Sequence, residues 1–328
     1  MAKALVTGAN GFIGDYLVRR LLKEGLQVRV LIQRGTALGP LVNLPIETLD
    51  GDLSEPETLK AAVQGADYIF HLAALKKAYS EAEYDAANFI GTKNLLEACI
   101  QSNPALKRLV YMSTQAALGP AESHDKPLNE ETPSKPVSFY GTSKRKGEVA
   151  VLDYAHRLPV TIVRAPVVYG PKKRELFQVY KAATLHLQLI LGFFTKYISF
   201  CYIDDLIEGL WLAAMKEAAR GQIYFIADET IYTDRQFSKT VAEVLGRWTV
   251  KVLVPDTLFV LEGWLKDMIL AFKGIKSSYN RHNNYEMIQP FWICNPAKAR
   301  KELGFQAKVK LAEGVKRTAE WYKANKWL

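Results

Sequence analysis

The chain is 328 residues long, 49% hydrophobic and 23% charged, with a formal net charge of +9. That length favours one large α/β domain or two unequal lobes with ample core, and the composition is ordinary for a soluble globular protein. Three cysteines (Cys99, Cys201, Cys294) without CxxC spacing and five scattered histidines exclude a disulfide framework and a metal site, which fits a reducing compartment and a cytoplasmic location.

Basic pairs such as Arg19-Arg20, Lys107-Arg108 and Lys172-Lys173-Arg174 are dispersed and not interleaved with aromatics. A nucleic-acid partner would concentrate them on one element, so none is expected. The excess charge is assigned to solvated helix faces and to attraction of cofactor phosphates, with an anionic substrate or a membrane surface as the lesser alternative. The chain enters a strand almost at once, so no signal peptide is expected. Its longest apolar stretch, Leu253 to Phe272, is broken by Pro255, Asp256, Glu262, Lys266 and Asp267 and cannot span a bilayer.

Along the first half, short β-rich runs alternate with helical patterns. Predicted strands are Ala4–Thr7, Gln27–Ile32, Glu47–Asp50, Tyr68–His71, Arg108–Ser113 and Val160–Arg164, with amphipathic segments such as Phe12–Glu24 and Glu81–Ser102 between them. This rhythm predicts an α/β fold with a doubly wound parallel sheet of the Rossmann type. Residues 1–170 form the predicted dinucleotide-binding domain. After Pro171 helical runs dominate, and residues 171–328 read as a smaller, mostly helical substrate lobe. One further strand near 222–227 is expected to return to the large sheet, so the two parts interleave. Leu185–Phe200 is unusually apolar for a loop or lid over a sugar, and 279–296 is a stretch punctuated by proline and asparagine.

The first strand runs into Gly8-Ala9-Asn10-Gly11-Phe12-Ile13-Gly14, followed by a helical pattern. Gly8 and Gly11 permit a tight turn and close backbone approach to a pyrophosphate, Gly14 lets helix pack on strand, and the helix N-terminus offers free N–H groups. An acidic residue about 20 positions on would bind the ribose 2′-hydroxyl of NAD. Here the second strand ends in Gln33-Arg34. Arg34 can pair with a 2′-phosphate, so NADP(H) is favoured over NAD(H).

Tyr140 and Lys144 are spaced to share a helical face. A free phenol titrates near 10, too high for efficient proton exchange at neutral pH. A lysine ammonium one turn away, together with a cationic nicotinamide ring, is expected to lower that value and let Tyr140 exchange a proton with an alcohol or ketone. Ser113-Thr114 lies where the fifth strand ends, at the edge that forms the ligand crevice, and Thr114 can hold the substrate oxygen. Thr114, Tyr140 and Lys144 are the candidate catalytic residues.

Together these sites resemble the extended short-chain dehydrogenase/reductase family. The similarity covers nearly the whole chain: Thr7–Gly14, Asp52-Leu53, His71-Leu72-Ala73-Ala74, the run from Asn88 to Leu96, Tyr140–Lys144, the run from Arg164 to Pro171, and Tyr202-Ile203-Asp204-Asp205. The resemblance implies Asp52 and Leu53 by the adenine and Ala73 by the ribose and phosphates. More broadly it implies a cofactor site drawn from Thr7, Gly8, Asn10, Gly11, Phe12, Ile13, Gly14, Leu72, Ala74, Ser113, Tyr140, Lys144, Pro166 and Val168. Relatives often dimerise through a four-helix bundle, here the helices of Glu81–Ser102 and Tyr140–Ala155, so a homodimer is one expectation.

Three chemistries share this scaffold. Sugar dehydratases resemble a Ser-Thr-Asp-Glu pattern, whereas this chain has Ser113-Thr114-Gln115-Ala116. Nucleotide-sugar epimerases often carry Arg-Asp-Phe before the YxDD element, and Tyr197 to Tyr202 lacks both charges. Tyr111 to Thr114 with Gly119-Pro120, and the tail from Phe291-Trp292 to Phe305, resemble the 3β-hydroxysteroid dehydrogenase and dihydroflavonol reductase branch. The expected function is therefore alcohol–ketone redox on a largely apolar small molecule. A nucleotide-sugar epimerase is the runner-up, and a non-catalytic NADP-sensing regulator the third reading. Leu258, Leu261, Leu265, Met268 and Phe272, with Trp264 and Ile269, form a helical stripe. It is expected to pack onto the small lobe, with a greasy pocket wall or a membrane-resting helix flanked by Lys273 and Lys276 as alternatives.

Overall fold

The apolar runs of the first half lie where both faces of a sheet are covered. Val6, Val30, Ile69 and Val110 have no exposed surface, as near-continuous hydrophobic strands require in a buried parallel sheet. The computed structural model describes residues 1–277 and 279–328. Its strands are β1 (Lys3–Thr7), β2 (Gln27–Ile32), β3 (Ile46–Asp50), β4 (Tyr68–His71), β5 (Arg108–Thr114), β6 (Val160–Ala165), β7 (Val167–Tyr169), β8 (Leu187–Leu191), β9 (Tyr197–Tyr202), β10 (Ile223–Phe225), β11 (Ile231–Thr233), β12 (Val250–Val254) and β13 (Phe291–Trp292).

Seven parallel strands build the main sheet in the order β10-β6-β5-β4-β1-β2-β3. The strand expected near 222–227 is β10, which pairs with β6 with Ile223 beside Ile162. One face is covered by the helices Phe12–Lys23 and Ile203–Met215 through Leu17, Leu21, Leu206 and Leu210. The other is covered by Pro56–Val63, Gly91–Ser102 and Phe139–Asp153 through Leu59, Leu95, Leu96 and Val151. Strand order reverses between β1 and β4, which opens a crevice at their carboxyl ends.

The second half is less helical than expected. The unusually apolar segment Leu185–Phe200 supplies β8 and most of β9. β9 pairs antiparallel with β11 and parallel with β13 and β7, while β8 and β12 form a parallel ribbon. The pairing partners lie far along the chain, so a local reading of apolar content missed them. Residues 279–296 likewise contain a helix, Tyr279–Ile288, and β13. Two of its asparagines are held by partners on the preceding helix, Asp256–Phe272: Asn284 Nδ2 donates to the Phe259 carbonyl at 2.6 Å, and Asp267 accepts from the Asn280 side chain at 2.9 Å. No helix among the described residues is long and apolar enough to cross a membrane.

Candidate active site

The glycine loop is tight for steric reasons. Gly8 has φ +70°, and a Cβ there would come within 2.7 Å of the Ala73 nitrogen; one on Gly14 would come within 2.4 Å of the Gly8 carbonyl oxygen. Only glycine lets the loop, the first helix and the chain leaving β4 meet so closely. The Thr7 hydroxyl joins His71 Nδ1 at 2.7 Å and accepts the Ala73 N–H at 3.3 Å, while His71 Nε2 meets the Thr92 hydroxyl at 3.0 Å. Burial, helped by the Lys144 charge, pushes His71 down to about 3, so it serves as a neutral hydrogen-bonding spacer.

A cavity of about 590 Å³ opens at the carboxyl ends of β1 to β4, lined among others by Gly8, Asn10, Gln33, Asp52, Leu53, Ala73 and Ala74. Its size and apolar floor suit an adenine nucleotide. A Cβ on Gly11 would meet only the Gly8 carbonyl oxygen, which leaves that side of the loop open for a phosphate. Gly11 and Phe12 line a neighbouring recess with Lys77, Lys172 and Arg174. Gln33 donates to Asp52 at 2.6 Å, and hydrogen bonds from Ser54 hold the Asp52 carboxyl below its usual range. Arg34 stands exposed just past β2 and does not line the cavity; Gln33 and Thr36 do. Ile13, Leu72, Pro166 and Val168 line none of these spaces.

Thr114 ends β5 and Tyr140 opens the helix Phe139–Asp153, whose N-cap Ser138 accepts the Gly141 N–H. Both side chains line a separate cavity of about 230 Å³. The two cavities meet along the chain: Leu75 and Glu83 line the first, Lys76 and Tyr84 the second. Asn88 fixes that join. It accepts the Leu75 N–H at 2.7 Å, donates to the Leu75 carbonyl at 3.0 Å, and donates to the Ser143 hydroxyl at 2.9 Å.

The electrostatics differ from expectation. Tyr140 is not lowered; burial and the nearby Glu286 carboxylate raise its phenol well above the usual value. Lys144 is itself pushed down to about 7, chiefly by burial, and lies over the Tyr111 ring. An ammonium that desolvation half-neutralises is a weak source of phenolate stabilisation by itself. Ser113 faces away from both cavities, donating at 2.6 Å to Glu148, which also receives Arg164 twice at 2.8 Å and Arg145 at 3.0 Å. Burial alone would raise that carboxyl, but Arg164, Ser113 and Arg145 hold it below its usual range.

Several wall residues escaped the sequence reading. The cavity beside Tyr140 also presents Lys76, Glu175, Tyr279, His282 and Glu286. Lys76 is brought down to about 8, mainly by burial, and burial raises Glu286. The Lys76-Lys77 pair after the fourth strand was an available signal. The contribution of Tyr279 to Glu286 was not, because that helix reaches the site only through tertiary packing. The Leu258–Phe272 stripe, expected to pack onto the small lobe with a greasy pocket wall as one alternative, does not line this cavity and stands largely in solvent. Leu261 is 52%, Met268 51% and Phe272 85% exposed.

A family profile described as the NAD dependent epimerase/dehydratase family matches residues 4–227. The chain is 32% identical to an uncharacterized protein of Sinorhizobium fredii, over 98% of this chain and 95% of the relative. It is 28% identical to the ceramide reductase of Caulobacter vibrioides (98% and 95% covered) and to a 3 beta-hydroxysteroid dehydrogenase/Delta 5→4-isomerase of Mycobacterium tuberculosis (93% and 86% covered). Among solved structures, dTDP-glucose 4,6-dehydratase from Bacillus anthracis in complex with NAD superposes with a TM-score of 0.79 at 21% identity, covering 100% of this chain and 98% of the other. At that identity the likeness concerns the fold. The chain belongs to the NAD-dependent epimerase/dehydratase family, the extended short-chain dehydrogenase/reductases, and is an enzyme of that class.

Proposed function

We propose that this enzyme reduces a ketone to a secondary alcohol on a largely apolar, lipid-like molecule, with NADP(H) preferred over NAD(H). The observation that carries the reading is that Tyr140 and Thr114 line one cavity, which adjoins the glycine-loop cavity. Residues 1–170 with β10 would hold the cofactor, and residues 171–328 would supply the far wall of the substrate cavity through Glu175, Tyr279, His282 and Glu286.

The Thr114 oxygen accepts the Ala116 N–H at 3.2 Å, which leaves its own proton to donate to a substrate carbonyl. Tyr140, held in its phenol form, is the proton donor to the same oxygen. The glycine loop with Asp52, Leu53 and Ala73 would hold a nicotinamide cofactor, which would supply the hydride. Lys144, one helical turn on, supports the phenolate that forms as the proton leaves. The rings of Tyr84, Phe139 and Tyr279 offer apolar contact, while Lys76 and Glu286 can orient polar groups beside the reacting carbon. Two relatives are named for a ceramide and a steroid, which supports an apolar substrate with polar groups near its carbonyl. Arg34, two residues past the end of β2 and next to Gln33, which stands where a carboxylate would be expected for NAD, supports a cofactor with a 2′-phosphate.

A panel of β-keto lipids, ketosteroids and UDP-sugars, assayed by NADPH consumption, tests the reading. Turnover is expected with the first two classes alone. Interconversion of UDP-glucose and UDP-galactose would overturn it.

A further inference from the structure

The helix Asp256–Phe272 exposes far more apolar surface than a helix in water normally does. Its inward face carries Gly263 and the carboxylate Asp267, 8% exposed and hydrogen-bonded to the start of the helix Tyr279–Ile288. Its outward face carries Leu258, Leu261, Leu265, Met268, Ile269 and Phe272, each between 46% and 85% exposed. The β8–β12 ribbon shows the same pattern. Gln188 is buried, while Leu187 and Leu189 point outward beside Val250 and Val252 in register. The turn after β8 adds Phe193 and Phe194, 67% and 77% exposed. That turn abuts the helix start, since Gly192 N–H donates to the Val254 carbonyl and Lys196 pairs with Asp256. A joined apolar face of this extent marks a contact with something other than water.

Charge indicates what covers it. From 247 to 276 the sequence has five basic residues and three acidic ones. Asp256 is paired with Lys196, Glu262 with Lys266, and Asp267 is buried. Arg247, Lys251, Lys273 and Lys276 are exposed, and none has a carboxylate partner among the described residues. Trp264, half exposed, sits under the Arg281 guanidinium at 4.3 Å. A second copy of the chain on a two-fold axis would bring this cationic rim against itself. Leucine, tryptophan and phenylalanine on one helix face with a lysine rim fit an anionic lipid surface.

We propose that this face, formed by the helix Asp256–Phe272, the β8–β12 ribbon and the Phe193-Phe194 turn, docks the enzyme onto an anionic bilayer without crossing it. The docked helix packs directly on Tyr279–Ile288, which lines the Tyr140 cavity. Docking therefore places the cavity wall one helix away from lipid.

The test is flotation of the full chain with vesicles, without substrate or cofactor, so its outcome is independent of the substrate assigned above. Binding is expected to vesicles of equal phosphatidylcholine and phosphatidylglycerol, and weakly to phosphatidylcholine alone. Leu265→Ser/Met268→Ser should weaken it by about tenfold or more, and Lys273→Gln/Lys276→Gln by about tenfold on the anionic vesicles only. Both pairs are exposed, so NADPH binding should be unchanged; Phe193→Ser/Phe194→Ser gives a second apolar test away from the helix. Absence of vesicle binding, or binding that neither apolar pair weakens, overturns the proposal. So does a solution dimer that Leu265→Ser dissociates, which would assign the face to a second copy.

Discussion

The Lys144 ammonium lies 4.0 Å from the centre of the Tyr111 ring, and Lys144 is only 1% exposed. The ring face offers some compensation for lost water, yet the lysine still falls from 10.5 to about 7. Below pH 7 the folded protein carries this buried charge at full cost. Between pH 7 and 10.5 the folded state is neutral while the unfolded state remains protonated, so the cost shrinks as pH rises. Lys144→Met should therefore be more stable than wild type by an amount on the order of 5 kcal/mol at pH 6, fading toward pH 10.5. Urea unfolding at the two pH extremes reads this, and a gain that grows with pH would contradict it.

Tyr140 is proposed to move a proton while the glycine loop holds the cofactor. Tyr140→Phe keeps the ring, so NADPH affinity should barely change while turnover falls by about 10²–10⁴. Burial, and after it the Glu286 carboxylate, raises the phenol, so Glu286→Gln should move the acid limb of alcohol oxidation to lower pH. Initial rates across pH test both, and a normally active Tyr140→Phe enzyme would assign the proton elsewhere.

The buried Arg164–Glu148 pair, 2% and 0% exposed at the side chains, sits behind the site and ties Ser113 to the helix that carries Tyr140 and Lys144. Glu148→Ala leaves a buried guanidinium unpaired and should cost about 3–5 kcal/mol in urea unfolding. Glu148→Ala/Arg164→Met should recover much of that loss. Simple additivity of the two single variants would argue against the pairing as its source.

Arg34 governs the cofactor prediction. NADPH should bind more tightly than NADH by roughly tenfold, the value of one charge-assisted contact, and Arg34→Ala should erase most of the difference. Equal titration curves in wild type would remove the assignment.

The sheet and the glycine loop were legible because their signals are local. A strand, three glycines and a helical pattern specify their own geometry within a few residues, and the spacing of Tyr140 and Lys144 comes from helical pitch alone. β8, β9 and β12 were not legible, since each is held by a partner distant in sequence. The apolar stripe from Leu258 to Phe272 was visible as a period, but its direction was not: the same pattern would serve a buried face or an exposed one. Asp267 decides it by satisfying the N–H groups of Asn280 and Arg281, turning the polar edge inward and the leucines out. The titration of Tyr140 was equally beyond the sequence. Spacing placed a lysine one turn away, and only tertiary structure could bury that lysine against Tyr111 and set Glu286 beside the phenol, because desolvation and through-space charge depend on a group's surroundings in space and not on its neighbours along the chain.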